Sequence, residues 1–219
     1  MFGIPRQVMM PHHAELAGAF LVAWMLAVAQ PAAAQTVGAT PTAAPQTATK
    51  WVVDLVHSQV DFRVRHLIGR VRGTFSRWYA VLVTTGPNWT GGTVQVSVQT
   101  ASLNTGNAYR DADLRSNRFF AVDSFPSLTF QGTAIVATDS TVDLRGVLTI
   151  KGHSNPVTLS GQYRGIAKDR EGHERIAFEA STLVDRRDYG ITWNETVAGN
   201  PVVGDEVEIT IAIEAVRVD

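Results

Sequence analysis

An all-β barrel of about eight antiparallel strands, with one inserted α-helix and a signal peptide ahead of it, is the fold this sequence predicts. Three observations predict it. From residue 50 onward, apolar and polar residues alternate with period two in stretch after stretch. These stretches run about ten residues, against the ~5–6 usual for globular strands, and short polar turns such as Thr138-Asp139-Ser140 and Lys168–His173 join them. Several glycines fall in phase with the apolar stripes.

Before the alternation begins, Arg6 supplies a positive charge and an apolar run extends from Leu16 to Ala29, broken only by Gly18. At about 14 residues the run is short of the ~20 needed to span a bilayer and fits the apolar region of an export signal. Pro31-Ala32-Ala33-Ala34-Gln35 follows, with an Ala-x-Ala pattern that places cleavage near Ala34. Residues 1–34 are therefore expected to be a signal peptide, and the mature protein to be periplasmic or secreted. Residues 35–49, rich in Ala, Thr and Pro, suit a flexible linker. The folded domain is expected over residues 50–219.

Along that domain the stripes follow in order. Val60, Phe62 and Val64 alternate with Asp61, Arg63 and Arg65. Val71–Val83 supplies a second strand, and Val94, Val96 and Val98 a third. Leu128, Phe130, Ala134 and Val136 share a face, as do Val142, Leu144, Leu148 and Ile150. Val157, Leu159 and Tyr163 precede Ile176, Phe178, Ala180, Thr182 and Val184. Val207, Ile209, Ile211 and Ile213 close the series against Glu206, Glu208, Thr210 and Glu214. This is the pattern of strands with one face buried and the other in water. Only Ala108–Asn117 reads as helix: it is rich in helix formers, Asn107 can cap it, and Asp111 and Arg115 stand at i,i+4.

Strands with one apolar face must pair as a sandwich or close as a barrel, and their length favours a tall barrel. Gly132, Gly146, Gly161 and Gly165 share parity with the inward residues. Two readings stand side by side: missing side chains leave room for a cavity, or glycine permits sharp coiling.

Composition excludes several functions. A net charge of −1 speaks against nucleic acid as a partner. The absence of cysteine removes disulfides, thiol catalysis and thiolate metal sites. Asp54, His57 and Ser58 supply hydrolase residue types, but on a strand their parity would separate them, and no Gly-x-Ser-x-Gly elbow is present. His57, His66, His153 and His173 include no His-x-x-x-His pair. Neither an enzyme nor a metal protein is expected.

Specific residues resemble the YceI-like family of polyisoprenoid-binding, lipocalin-like proteins over essentially Trp51 to Val218. The resemblance begins with Trp51-Val52-Val53-Asp54, His57-Ser58 and Val60-x-Phe62-x-Val64-x-His66, followed by Gly73-x-Phe75. It continues through Arg110-Asp111-x-Asp113-Leu114-Arg115-Ser116, Phe119-Phe120, Phe125-Pro126-x-Leu128-Thr129-Phe130 and Gly146–Gly152. Asp185-Arg186-Arg187-Asp188-Tyr189-Gly190-Ile191 and Val203-Gly204-Asp205-x-Val207 complete it. The chain departs from the pattern at Asp113, where many members carry histidine, and at Asn155-Pro156.

The resemblance implies an extended lipocalin-like barrel in the envelope that holds a long isoprenoid or acyl lipid, such as a quinone or polyprenyl phosphate, as ligand and carries no covalent cofactor. Phe62, Val64, Val96, Phe130, Leu148, Phe178 and Ile211, all on inward stripes, are the lumen residues to expect. Ser58 and His66, of the same parity at the two ends of the first strand, and Arg110 on the helix are the head-group candidates. Arg186 and Arg187 are expected in solvent, with guarding an entrance as the alternative. Transient contact with the inner membrane and a homodimer are compatible with such a carrier. The competing reading is a non-enzymatic barrel with a filled core that docks on a membrane redox protein; lumen volume separates the two.

Overall fold

The structure is a computed structural model that describes residues 48–85, 92–138 and 140–218. The signal peptide and residues 35–47 of the expected linker lie outside the described residues. Strand β1 (Ala48–Val53) starts inside the segment read as linker, because Ala48 and Thr49 already pair with Thr85 and Thr84.

Eight barrel strands follow one another as an antiparallel meander, and the first three are each broken midway. The first is β1 continued by β2 (Gln59–His66), and the second is β3 (Gly69–Phe75) continued by β4 (Trp78–Thr85). The third is β5 (Thr93–Gln99) with the short β6 (Leu103–Asn104). Helix α1 (Ala108–Arg115) intervenes before β7 (Ser127–Ala137), β8 (Thr141–Ile150), β9 (His153–Lys168) and β10 (Glu174–Asp185). A small hairpin, β11 (Thr196–Val197) and β12 (Asn200–Pro201), leads into β13 (Val203–Val218). β13 closes the ring: its first half pairs with β2 and its last residues with β1. All described residues fall within one compact unit, Ala43–Asp219, inside which the barrel closes on itself.

The expected stripes face inward. Trp51, Trp78, Leu82, Val98, Leu144, Ile176 and Ala215 are buried in one continuous core. Trp51 Nε1 donates to Thr84 Oγ1 at 3.1 Å, so the buried indole keeps a partner. One stripe changes phase. A bulge between Gly132 and Ala134 resets the register of β7 on β8, and Ile135, out of step with Phe130 in the sequence, is buried opposite Leu144.

Two of the inward glycines, Gly161 and Gly146, serve coiling. A Cβ on Gly161 would collide with the Glu179 carbonyl oxygen, and one on Gly146 with that of Gln131. At these two positions neighbouring backbone, not an open lumen, occupies the space a side chain would take; at Gly132 the Val94 side chain limits the space, and Gly165, at φ 117°, has open space beside it.

Helix α1 is capped as expected: Asn107 Oδ1 accepts from the Arg110 amide at 3.0 Å. The expected Asp111–Arg115 pair is not what holds it. Asp111 is buried and accepts from the Thr105 amide (3.0 Å) and hydroxyl (2.5 Å). Arg115 donates to the carbonyls of Ala101 and Leu103, at 2.9 and 2.6 Å. Fixed carbonyls and a buried hydroxyl outcompete a solvent-exposed helix pair worth a few tenths of a kcal/mol.

Candidate functional site

A cavity of about 190 Å³ runs up the inside of the barrel. Along β13 it is lined from Val207 to Ala215, about 26 Å of strand at ~3.3 Å per residue. With barrel strands tilted by ~35–45° this is roughly 20 Å of height, so the volume is a narrow tube. The space far exceeds the ~10–15 Å³ of such volume that a cavity needs to hold one water, and its lining exposes almost no polar atom, the condition under which a cavity stays dry. Phe62, Val64, Val96, Phe130, Leu148, Phe178 and Ile211 all line it.

Near the β2–β3 turn the tube is closed by the segment after α1 and the loop after β10. Leu114 in the last turn of α1, Phe119 and Phe120 after it, and Tyr189 and Ile191 after β10 line the cavity. Phe119 and Trp193 meet at 5.2 Å between ring centroids, and the Arg118 guanidinium lies 4.7 Å over the Trp193 ring while pairing with Asp113. Lys151 Nζ ties the segments together by donating to the carbonyls of Asn117 (3.2 Å) and Gly190 (3.3 Å). Asn155 Nδ2 donates to the Asp188 carbonyl at 3.0 Å. Both departures noted in the sequence, Asp113 and Asn155, therefore help to hold this closure.

Arg186 corrects an expectation. It is only 5% exposed, not solvated, and its aliphatic part lines the cavity. Its Nε donates to the Gly204 carbonyl (2.9 Å), Nη1 to those of Ile191 and Trp193 (both 2.7 Å), and Nη2 to Asp205 Oδ1 (3.0 Å). The cation is consumed in folding the loop 191–205 over the barrel end. Arg187 is exposed as expected, and its guanidinium holds the Asp185 carboxyl down at about 2. Burial and the charge of Asp188 push the Tyr189 phenol above its ordinary value, so it stays neutral beside the cavity.

The three head-group candidates lie elsewhere. Ser58 Oγ donates to the Glu214 carbonyl (3.1 Å) and accepts from the Glu214 amide (2.8 Å), which makes it a splice between β2 and β13. His66 is the exposed last residue of β2, where the strand turns and parity with the lumen stops. Arg110 is engaged with the Thr105 hydroxyl (2.7 Å) and carbonyl (2.9 Å). None of the three lines the cavity.

Asp54 and His57 also correct the sequence reading. They lie in the turn after β1, not on a strand, and His57 Nδ1 comes within 2.9 Å of Asp54 Oδ2. Asp54 is claimed more strongly by Arg175, which also binds Asp169 and Glu214 on the outer wall. The Arg175 guanidinium, with a smaller effect from His57, holds the Asp54 carboxyl well below the usual carboxylate range. The same guanidinium lowers Asp169 to about 2. With the Ser58 hydroxyl spent on backbone, these residues form an ion cluster clamping three segments.

Residues 51–215 match the YceI-like domain family. The chain belongs to that family. It is 33% identical over 162 residues to the protein YceI of Salmonella arizonae, covering 74% of this chain and 82% of that one. The crystal structure of the Campylobacter jejuni YCEI protein is similar with a TM-score of 0.61 and 28% identity, over 71% of this chain and 90% of that one. A polyisoprenoid-binding domain from Saccharophagus degradans, implicated in plant cell wall breakdown, shares the fold with a TM-score of 0.59. Its identity is 14%, over 76% of this chain and 97% of that one.

Proposed function

We propose that this YceI-like barrel is an exported carrier that holds the hydrocarbon chain of one long isoprenoid or acyl lipid and performs no chemistry on it. The observation that carries the reading is the narrow hydrocarbon tube of about 190 Å³, which a filled-core protein would not keep. A dry tube of this kind suits a slender chain such as the tail of an isoprenoid quinone, a polyprenyl phosphate or a fatty amphiphile. The Saccharophagus degradans domain of the same fold, called polyisoprenoid-binding, supports the same ligand class. Export to the periplasm rests on the apolar run and Ala-x-Ala pattern of residues 1–34.

Moving such a tail out of water is worth ~0.8 kcal/mol per methylene, but moving it from a bilayer into an equally apolar tube is worth almost nothing. The protein is thus suited to reversible exchange with a membrane. Selectivity falls to the shape of the tube, since its wall offers no polar contact.

The test incubates residues 43–219 with vesicles containing a long-chain isoprenoid quinone, re-isolates the protein and extracts it. About one quinone per barrel is expected, and Phe62→Asp, which places a carboxylate in the wall, is expected to abolish retention while the circular dichroism stays that of a barrel. Equal retention by the folded variant, or none by the wild type, counts against the proposal.

A further inference from the structure

The hairpin formed by β2 and β3 is built against the usual rules for a sheet. Between Phe62 and Gly73 it carries four arginines and no acidic residue, in a chain whose net charge is −1. The register sets Arg63 opposite Arg72 and Arg65 opposite Arg70. Like charges directly across a strand pair destabilise it, and a broken local rule of this kind points to function. Glu208 offsets part of the charge by pairing with Arg63, and lies 3.9 Å from Arg70. Arg65 has only carbonyl partners among the described residues, those of Leu67 (2.9 Å) and Pro201 (3.4 Å). Arg70 is 65% exposed.

At the tip of this basic ladder stand two hydrocarbon side chains. Ile68 is fully exposed, at 106% of its reference area, and Leu67 is 41% exposed. Leu67 also sits in the left-handed region, φ 51°, pinned by its amide hydrogen bond to the Val202 carbonyl at 2.7 Å. A left-handed leucine is strained, and here the strained turn presents apolar carbon to water. Val197, on the adjoining β11–β12 hairpin that Arg65 touches, is exposed as well. Charges on the free edge of β3, which β6 covers only at Thr74 and Phe75, would guard against edge pairing, but edge guarding does not call for an exposed isoleucine.

We infer that the β2–β3 tip is a docking site for an anionic lipid bilayer: Ile68 and Leu67 enter the interface, and Arg65, Arg70 and Arg72 sit against the lipid phosphates. Arginines around an apolar tip match that surface in both charge and hydrophobicity. The strand that ends at the tip carries Phe62 and Val64 of the cavity wall, so docking sets the tube end-on to the membrane. The purpose of docking rests on the carrier reading, whereas its test does not, because the vesicles need hold no ligand.

The experiment measures co-sedimentation of residues 43–219 with vesicles of phosphatidylcholine alone or with roughly one-third phosphatidylglycerol, for wild type, Ile68→Asp and Arg70→Glu/Arg72→Glu. All these side chains are exposed, and circular dichroism verifies the fold of each variant. Wild type is expected to bind the anionic vesicles at least about tenfold more tightly than the neutral ones, with the gain lost near ~0.5 M salt. Each variant is expected to lose about tenfold or more on anionic vesicles. Wild type indifferent to phosphatidylglycerol, or variants that bind as wild type does, overturns the inference. Quinone retention by the same proteins reports separately: retention without vesicle binding sinks the docking site alone, and vesicle binding without retention sinks the carrier alone.

Discussion

The two ends of strand β10 each carry an arginine, and the two are used in opposite ways. Arg186, just past the upper end, is buried and gives three of its four hydrogen bonds to backbone carbonyls, which neither titrate nor move once the loop is folded. Arg175, near the lower end, is about a quarter exposed and binds three carboxylates from three segments. One arginine seals the end of a hydrocarbon tube and must keep its charge away from the lumen. The other clamps the outer wall, where water helps to solvate the ion cluster. Three neutral acceptors beside the one carboxylate of Asp205 leave the first contact largely independent of pH, whereas three carboxylate acceptors make the second dependent on it.

That contrast can be broken from either side. Arg186→Ala has the largest expected effect, a loss of about 3–5 kcal/mol by urea denaturation, because it leaves buried acceptors unpaired and unpins the loop 191–205. The deficit should persist at pH 3. Gly161→Val is next, at about 1–3 kcal/mol, since the added carbons collide with the Glu179 carbonyl where the sheet coils. Arg175→Ala should lower the melting temperature at pH 7 by less than Arg186→Ala does, and its effect should fade in acid. Asp54 and Asp169 have folded pKa values below their unfolded ones, so their stabilisation is complete above about pH 4. It is lost as pH falls towards about 2 for Asp169 and at still lower pH for Asp54. Wild type should therefore shed stability over that window more steeply than Arg175→Ala, which keeps the Asp185–Arg187 contribution and only the weaker holds of His57 and of backbone amides on Asp54 and Asp169. Asp113→Asn is the smallest, within about 1 kcal/mol, because its pair with Arg118 is largely exposed. A pH-independent Arg175→Ala deficit would erase the distinction between the two ends.

Much of the barrel could be read from the sequence because period two is imposed directly by strand geometry. Every lumen residue expected from the stripes lines the cavity, since an apolar side chain of inward parity has nowhere else to point. The reading failed where strands end. His66 lies at the hairpin, Asp54 and His57 lie in a turn, and Ser58 is spent on the backbone of β13, so parity says nothing about them. Arg186 was illegible for another reason: its burial depends on carbonyls from residues 191, 193 and 204 folding around it, and backbone acceptors leave no mark in a sequence. The same holds for Asp111, which the sequence pairs with Arg115 and the fold pairs with Thr105. The bulge in β7 has only Gly132 as a hint, and it moves Ile135 to the inside.

The central claim is that the tube holds one lipid chain. Native mass spectrometry of the protein taken directly from cells, followed by solvent extraction and identification of what is released, tests it most directly. A single stoichiometric isoprenoid or acyl species, absent from Phe62→Asp, is the expected result. A clean apo mass that stays unchanged after incubation with quinone-bearing vesicles would contradict it and leave a barrel whose cavity serves no lipid.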